Sequence, residues 1–170
     1  MKVDVNRKVP IVGAVLAVLG IAAAIAVPLA SAASPKACSP SRLTVSFRVV
    51  KGSAGAGGIT YKLKVKSKSS KACTLGRPKI TLLDKNKHRL PSHAKGSGKS
   101  ITLAAHGKAS AVTRFSPDVT GKGDMQSGPC EPTAYFVKVR FKGSKGAVTG
   151  PIKPPTPVCS RGKMRLKPLK

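Results

Sequence analysis

Between residues 43 and 65, apolar and polar side chains alternate with a period of two, interrupted once by a glycine-rich gap. Leu43, Val45, Phe47 and Val49 alternate with Thr44, Ser46 and Arg48, and Ile59, Tyr61, Leu63 and Val65 alternate with Thr60, Lys62, Lys64 and Lys66. In an extended strand, a period of two puts each set on its own face, so both stretches are half-buried β-strands. The intervening Lys51 to Gly58 holds four glycines and makes a flexible turn, which predicts an antiparallel hairpin centred near residue 54.5. The pattern returns at Tyr135, Val137, Val139 and Phe141, alternating with Phe136, Lys138, Arg140 and Lys142. A turn at Gly143-Ser144-Lys145-Gly146 and a returning strand from Ala147 to Ile152 complete a second hairpin.

Short apolar segments fill the interval: Ile80 to Leu83, Ile101 to Leu103 and Ala109 to Phe115, with a turn at Asp84 to Lys87. Met164 to Lys167 alternates again, and Asp118 to Pro129, glycine-rich and polar, forms a long loop. Downstream of the amino terminus, no segment keeps a 3.6-residue period over ten positions. Glycine and proline make up 31 of 170 residues, many turns for this length. Together these predict an all-β, antiparallel sandwich of about 7–8 short strands. With four Phe, two Tyr and no Trp, its core must be built from Val, Leu and Ile.

The amino terminus is the exception. Lys2, Arg7 and Lys8 precede an uncharged apolar run of 19 residues from Val9 to Val27, and Pro28 breaks it before Ala30-Ser31-Ala32. A basic start, an apolar run and an A-x-A site form a secretory signal, with cleavage expected after Ala32. The run also reaches bilayer-spanning length, so an uncleaved transmembrane anchor is the alternative. A lipid-modified Cys38 is excluded by Pro35 and Lys36 before it. The expected organisation is therefore a signal over 1–32, a linker over 33–37 and the sandwich over 38–170. The mature protein is expected in the medium or on the extracellular face of the cell envelope.

Four cysteines, Cys38, Cys73, Cys130 and Cys159, all follow the signal, and none lies in a C-x-x-C pair. An even count in an exported chain predicts two disulfides, not zinc or redox chemistry. Reflecting the first hairpin about its centre places residue 38 opposite about 71, two residues from Cys73. The same construction about residue 144.5 places residue 130 opposite 159. Prolines from Pro151 to Pro157 should interrupt strand pairing there, so proximity and not register supports the second bridge. The expected bridges are Cys38–Cys73 and Cys130–Cys159.

The order of these pieces resembles an exported actinobacterial family known as domain of unknown function number 4232. The resemblance rests on Cys38, the Gly52 to Gly58 loop, Cys73-Thr74-Leu75-Gly76-Arg77-Pro78 and Leu82-Leu83-Asp84. It continues through Ile101-Thr102-Leu103-Ala104-Ala105-His106-Gly107 to Cys130 and Cys159, and spans essentially all of 38–169. It implies an immunoglobulin-like sandwich and an exported location, and brings no activity and no binding residues. Lys66-Ser67-Lys68 stands where members often carry an Asn-Thr turn, and members are not usually this basic.

Catalytic constellations are missing from the pattern. His88 and His93 flank a turn near Asp84 without a standard ligand spacing, and they and His106 are better explained as exposed loop histidines. Gly98-Lys99-Ser100 imitates the end of a phosphate-binding P-loop, but His93 stands where that motif needs glycine and a strand follows where it needs a helix. There is no G-x-S-x-G elbow. Past residue 32 only Asp84, Asp118, Asp124 and Glu131 are carboxylates, too few and too scattered for a glycosidase pair. The chain is expected to be a non-enzyme without cofactor or metal.

Charge is the remaining signal. The chain has 32 Lys+Arg against 5 Asp+Glu. Removing residues 1–32 takes away Lys2, Arg7, Lys8 and Asp4, leaving 29 basic and 4 acidic residues, a net +25. The placement is patterned: Lys62, Lys64, Lys66 and Lys68 line one strand face, Lys138, Arg140 and Lys142 a second, and Lys163, Arg165 and Lys167 a third. If those faces share a sheet, they form one cationic surface. The expected function is a binding module that docks on anionic envelope polymers or lipid headgroups. Nucleic acid is a less favoured partner, because export separates the chain from the genome and few aromatics remain for stacking. The alternative is a structural or accessory domain for an unidentified protein, with the lysines serving solubility and edge protection.

Overall fold

The computed structural model describes residues 34–55, 58–91, 94–115, 132–159 and 162–170. The predicted signal, the loop from 118 to 129, His93 and Cys130 lie outside the described residues. Among those described, no helix is long and apolar enough to cross a membrane.

One 3-10 turn at Pro40–Arg42 leads into the strands: β1 Leu43–Val49, β2 Ile59–Ser67, β3 Cys73–Leu75, β4 Pro78–Leu83 and β5 Ala94–Gly96. The second half adds β6 Ile101–Leu103, β7 Lys108–Phe115, β8 Thr133–Phe141, β9 Val148–Pro157 and β10 Met164–Leu166. Eight join one sheet in the order β10-β5-β4-β8-β9-β1-β2-β7, while β3 and β6 pair with each other. The all-β expectation is met, but the sheet is mixed and not purely antiparallel, since β1 runs parallel to β9 and β10 parallel to β5. Parallel neighbours need a long connection between them. A hairpin-by-hairpin reading could not anticipate partners this distant in the chain.

The sheet curls until its two ends meet. Lys167 N–H donates to Val112 O at 2.8 Å, and Ser110 and Lys170 exchange backbone bonds at 2.8 and 2.9 Å. The hydroxyl of Thr113 donates to Arg165 O at 2.9 Å. The segment after β10 thereby covers the outer edge of β7, which would otherwise present unpaired backbone groups.

Alternation then sorts every long strand into an inside and an outside. Val45 and Phe47 of β1, Leu63 and Val65 of β2, Ile80 and Leu82 of β4, and Val137, Val139 and Phe141 of β8 are all buried. Aromatics sit at the centre: Tyr61 stacks on Phe47 at 5.1 Å between ring centroids and meets Phe115 edge-on at 6.0 Å. Its hydroxyl reaches Thr156 Oγ1 at 2.8 Å, joining β2 to β9 through the core. The seam between β9 and β1 depends on Gly150, where a Cβ would collide with the carbonyl oxygen of Val45.

Two sequence expectations need adjustment. The first hairpin turns about residue 55, midway between the paired Leu43 and Ser67, and not about 54.5. Tyr135, expected to face the core with Val137, is instead exposed at 37%. The β8–β9 register shifts between Ala134 and Phe136, and the alternation of β8 changes phase there, with Ala134 and Val137 both buried. The β8–β9 pairing is interrupted within the proline stretch as expected: Pro151 is opposite Phe136, Ile152 to Pro155 have no partner in β8, and pairing resumes with Thr156 opposite Ala134 and Pro157 opposite Thr133.

Candidate functional site

The outer face of β1, β2 and β7 is a small grid. Register places Arg48, Lys62 and Val112 in one row, Ser46, Lys64 and Ser110 in the next, and Thr44, Lys66 and Lys108 in the third. Apart from Val112, these positions are polar, and they alternate with the core residues Val45, Phe47, Leu63, Val65, Ala109 and Ala111. Long lysines stand on the central strand, with short hydroxyl side chains on both neighbours. The result is a trough of about 580 Å³, flanked by Pro151 and Lys170. Lys62, Lys64, Lys66, Lys108 and Lys170 contribute its ammonium groups, and Thr44, Ser46 and Ser110 its hydroxyls. Lys62 is half-buried and the other four are exposed.

No side-chain carboxylate among the described residues offsets this charge. Asp84 is the one acidic residue described, and it is engaged in its own turn. Its Oδ1 accepts from His88 N–H at 2.8 Å, and its Oδ2 lies 3.4 Å from His88 Nδ1. The groove lysines therefore repel one another, which an anion laid between them would relieve.

The remaining basic residues divide among other places. Lys138 and Arg140 of β8 join Lys79 of β4 with Lys87 and Arg89 around a second hollow of about 300 Å³. Strand β9 lies between β8 and the trough's first strand, β1. Lys142 lies past the end of β8, beside Arg77 and Lys99 in a wider cleft of about 780 Å³ near Ser34 and Thr74. Lys68, one residue beyond β2, is exposed and its N–H donates to Arg42 O. Lys163, Arg165 and Lys167 are exposed along β10 and its flanks, with Arg165 in register with Lys95. The predicted cations are thus carried on or just beyond β2, β8 and β10 of one curled sheet, and the β10 segment meets β7 where Lys167 N–H donates to Val112 O. Lys108, Lys170 and the three hydroxyls were not anticipated. Ala109 to Phe115 was read as a short apolar segment, and its pairing with β2 was not anticipated.

Cys38 and Cys73 are bridged as expected, 35 residues apart in sequence with Cα atoms 4.9 Å apart. Cys159 is also disulfide-bonded, and its expected partner Cys130 lies outside the described residues. The P-loop imitation at Gly98 to Ser100 runs into strand β6. Among the described residues, no three His, Cys, Asp or Glu side chains converge into a metal-binding group.

The family model described as "Domain of unknown function (DUF4232)" matches residues 38–170, so the chain belongs to that family. No curated protein and no solved structure matches it.

Proposed function

From a family that brings no assigned activity with it, we propose that this chain is an exported, non-catalytic binding module that docks on anionic envelope material. The observation that carries the reading is the trough across β1, β2 and β7, where five lysines and three hydroxyls converge without a described side-chain carboxylate among them. Surfaces of one sign attract and orient polyanions, and the attraction falls with salt. The basic n-region, apolar run and A-x-A site ahead of residue 33 support a destination in the medium or on the outer face of the envelope.

An immunoglobulin-like relationship is part of the same proposal. The β1-β2-β7 half corresponds in chain order to strands A, B and E of that fold, and β5-β4-β8-β9 to C′, C, F and G.

Reversing Lys62, Lys64 and Lys66 to Glu tests the function. Envelope retention of the reversed protein should be lost while its thermal unfolding stays cooperative. Retention equal to that of the native protein rejects the groove as the docking site. A crosslink to one defined protein that survives high salt would move the function to a protein partner.

A further inference from the structure

The groove also carries information about spacing. Lys62, Lys64 and Lys66 occupy alternate, outward positions of a single regular strand that is paired on both sides. Alternate residues of a strand repeat every ~6.6–6.8 Å. An extended covalent chain advances ~3.3–3.6 Å per three backbone bonds, so a linker of six bonds between charges repeats at ~6.6–7.2 Å. A phosphodiester polymer whose phosphates are joined through three carbons has six bonds per repeat, P–O–C–C–C–O–P, and one negative charge on each phosphate.

The geometry points to a linear polyol-phosphate chain as the ligand, lying along β2 with successive phosphates over Lys62, Lys64 and Lys66. This rests on the anion-docking reading of the same groove and names the chemistry that fills it. Hydroxyls flank the cationic line: Ser46 and Ser110 sit in register with Lys64, and Thr44 with Lys66. They suit the non-bridging phosphate oxygens and the free hydroxyls of a polyol, and Lys108 beside Lys66 adds a second cation to that row.

Other anions fit less well. A nucleic acid strand also places six bonds between phosphates, but its bases need stacking surfaces, and no aromatic side chain lines this groove. A bilayer surface is broad and flat, whereas this charge follows one line in a trough flanked by Pro151 and Lys170.

Residues 33–170 form a compact unit that contains the described core, so the oxidised 33–170 protein is the reagent. It would be titrated calorimetrically with a glycerol-phosphate hexamer at about 50 mM salt, a concentration at which such contacts are strong. The comparison ligands carry the same number of charges: a hexamer with five-carbon linkers and a single-stranded oligonucleotide. Vesicles containing anionic phosphatidylglycerol complete the set. The three-carbon hexamer should bind about tenfold more tightly than the five-carbon one. The K62Q/K64Q/K66Q variant should lose that preference, and K138Q/R140Q at the second hollow should keep it.

Equal affinity for the two linkers overturns the spacing match while leaving anion docking intact. Tighter binding of the oligonucleotide, or a preference for vesicles, overturns the polyol-phosphate assignment in favour of those ligands. Failure to bind any of the four removes both the inference and the reading beneath it.

Discussion

Replacing Cys38 and Cys73 together by serine should destabilise the domain through its unfolded state. The bridge joins residues 35 apart, and the chain-entropy relation for a loop of that size gives roughly 3.5–4 kcal/mol at room temperature. In the native state the bridged segment has other attachments. Cys38 N–H donates to Thr74 O and Thr74 N–H to Lys36 O, each at 2.9 Å, and Ser144 Oγ donates to Cys38 O at 3.0 Å. These bonds should hold the segment in place without the bridge, so the cost falls on the freed unfolded chain. Urea unfolding followed by far-ultraviolet circular dichroism reads it directly. With a slope of about 2 kcal/mol/M, the midpoint should fall by about 2 M. The slope itself should rise, because the unfolded ensemble expands. A fall under about 0.5 M at unchanged slope would refute loop closure as the source of stability. Loss of amide protection at Cys38 and Thr74 in the folded variant would instead place the cost in the native state.

Other substitutions probe the packing. Gly150→Ala should cost about 1–3 kcal/mol or more in thermal unfolding, because β9 must move away from the Val45 carbonyl; an unchanged melting temperature would show that the seam is loose. Tyr61→Phe should cost about 1 kcal/mol and Thr156→Val a similar amount, with the double variant costing less than their sum. Strict additivity in that cycle would deny the hydroxyl pair any coupling. Tyr135→Ser should change stability by under about 0.5 kcal/mol, while Val137→Ala, two residues away, costs about 1–3. Comparable losses at both would mean that the strand alternates without a bulge.

Much of this architecture was legible because it is local. Period-two alternation marked β1, β2 and β8, and one glycine-rich turn set the β1–β2 register to within a residue, near enough to pair Cys38 with Cys73. What escaped depends on distant partners or on breaks in the pattern. Strands β3 and β5 are three residues each, too short to show a period. The bulge before Phe136 looks like regular alternation in sequence, since Tyr135 and Val137 are both apolar. The groove was half legible for the same reason. Lys62, Lys64 and Lys66 announce a face by themselves, but Lys108 and Ser110 join it through the β2–β7 pairing, and Lys170 through the closing of the sheet. Charge could be counted from the sequence, but which of its carriers stand side by side followed from strand order and sheet closure.

Salt dependence of retention on isolated cell envelopes, for the native oxidised domain and the K62Q/K64Q/K66Q variant, tests the docking claim most directly. Between about 50 and 200 mM salt the native protein should lose binding steeply, and by analogy with single-stranded polyanions the variant's logarithmic slope should be shallower by about 2, near 0.7 per lysine removed. Retention that ignores salt, or slopes that coincide for the two proteins, would contradict docking through this groove.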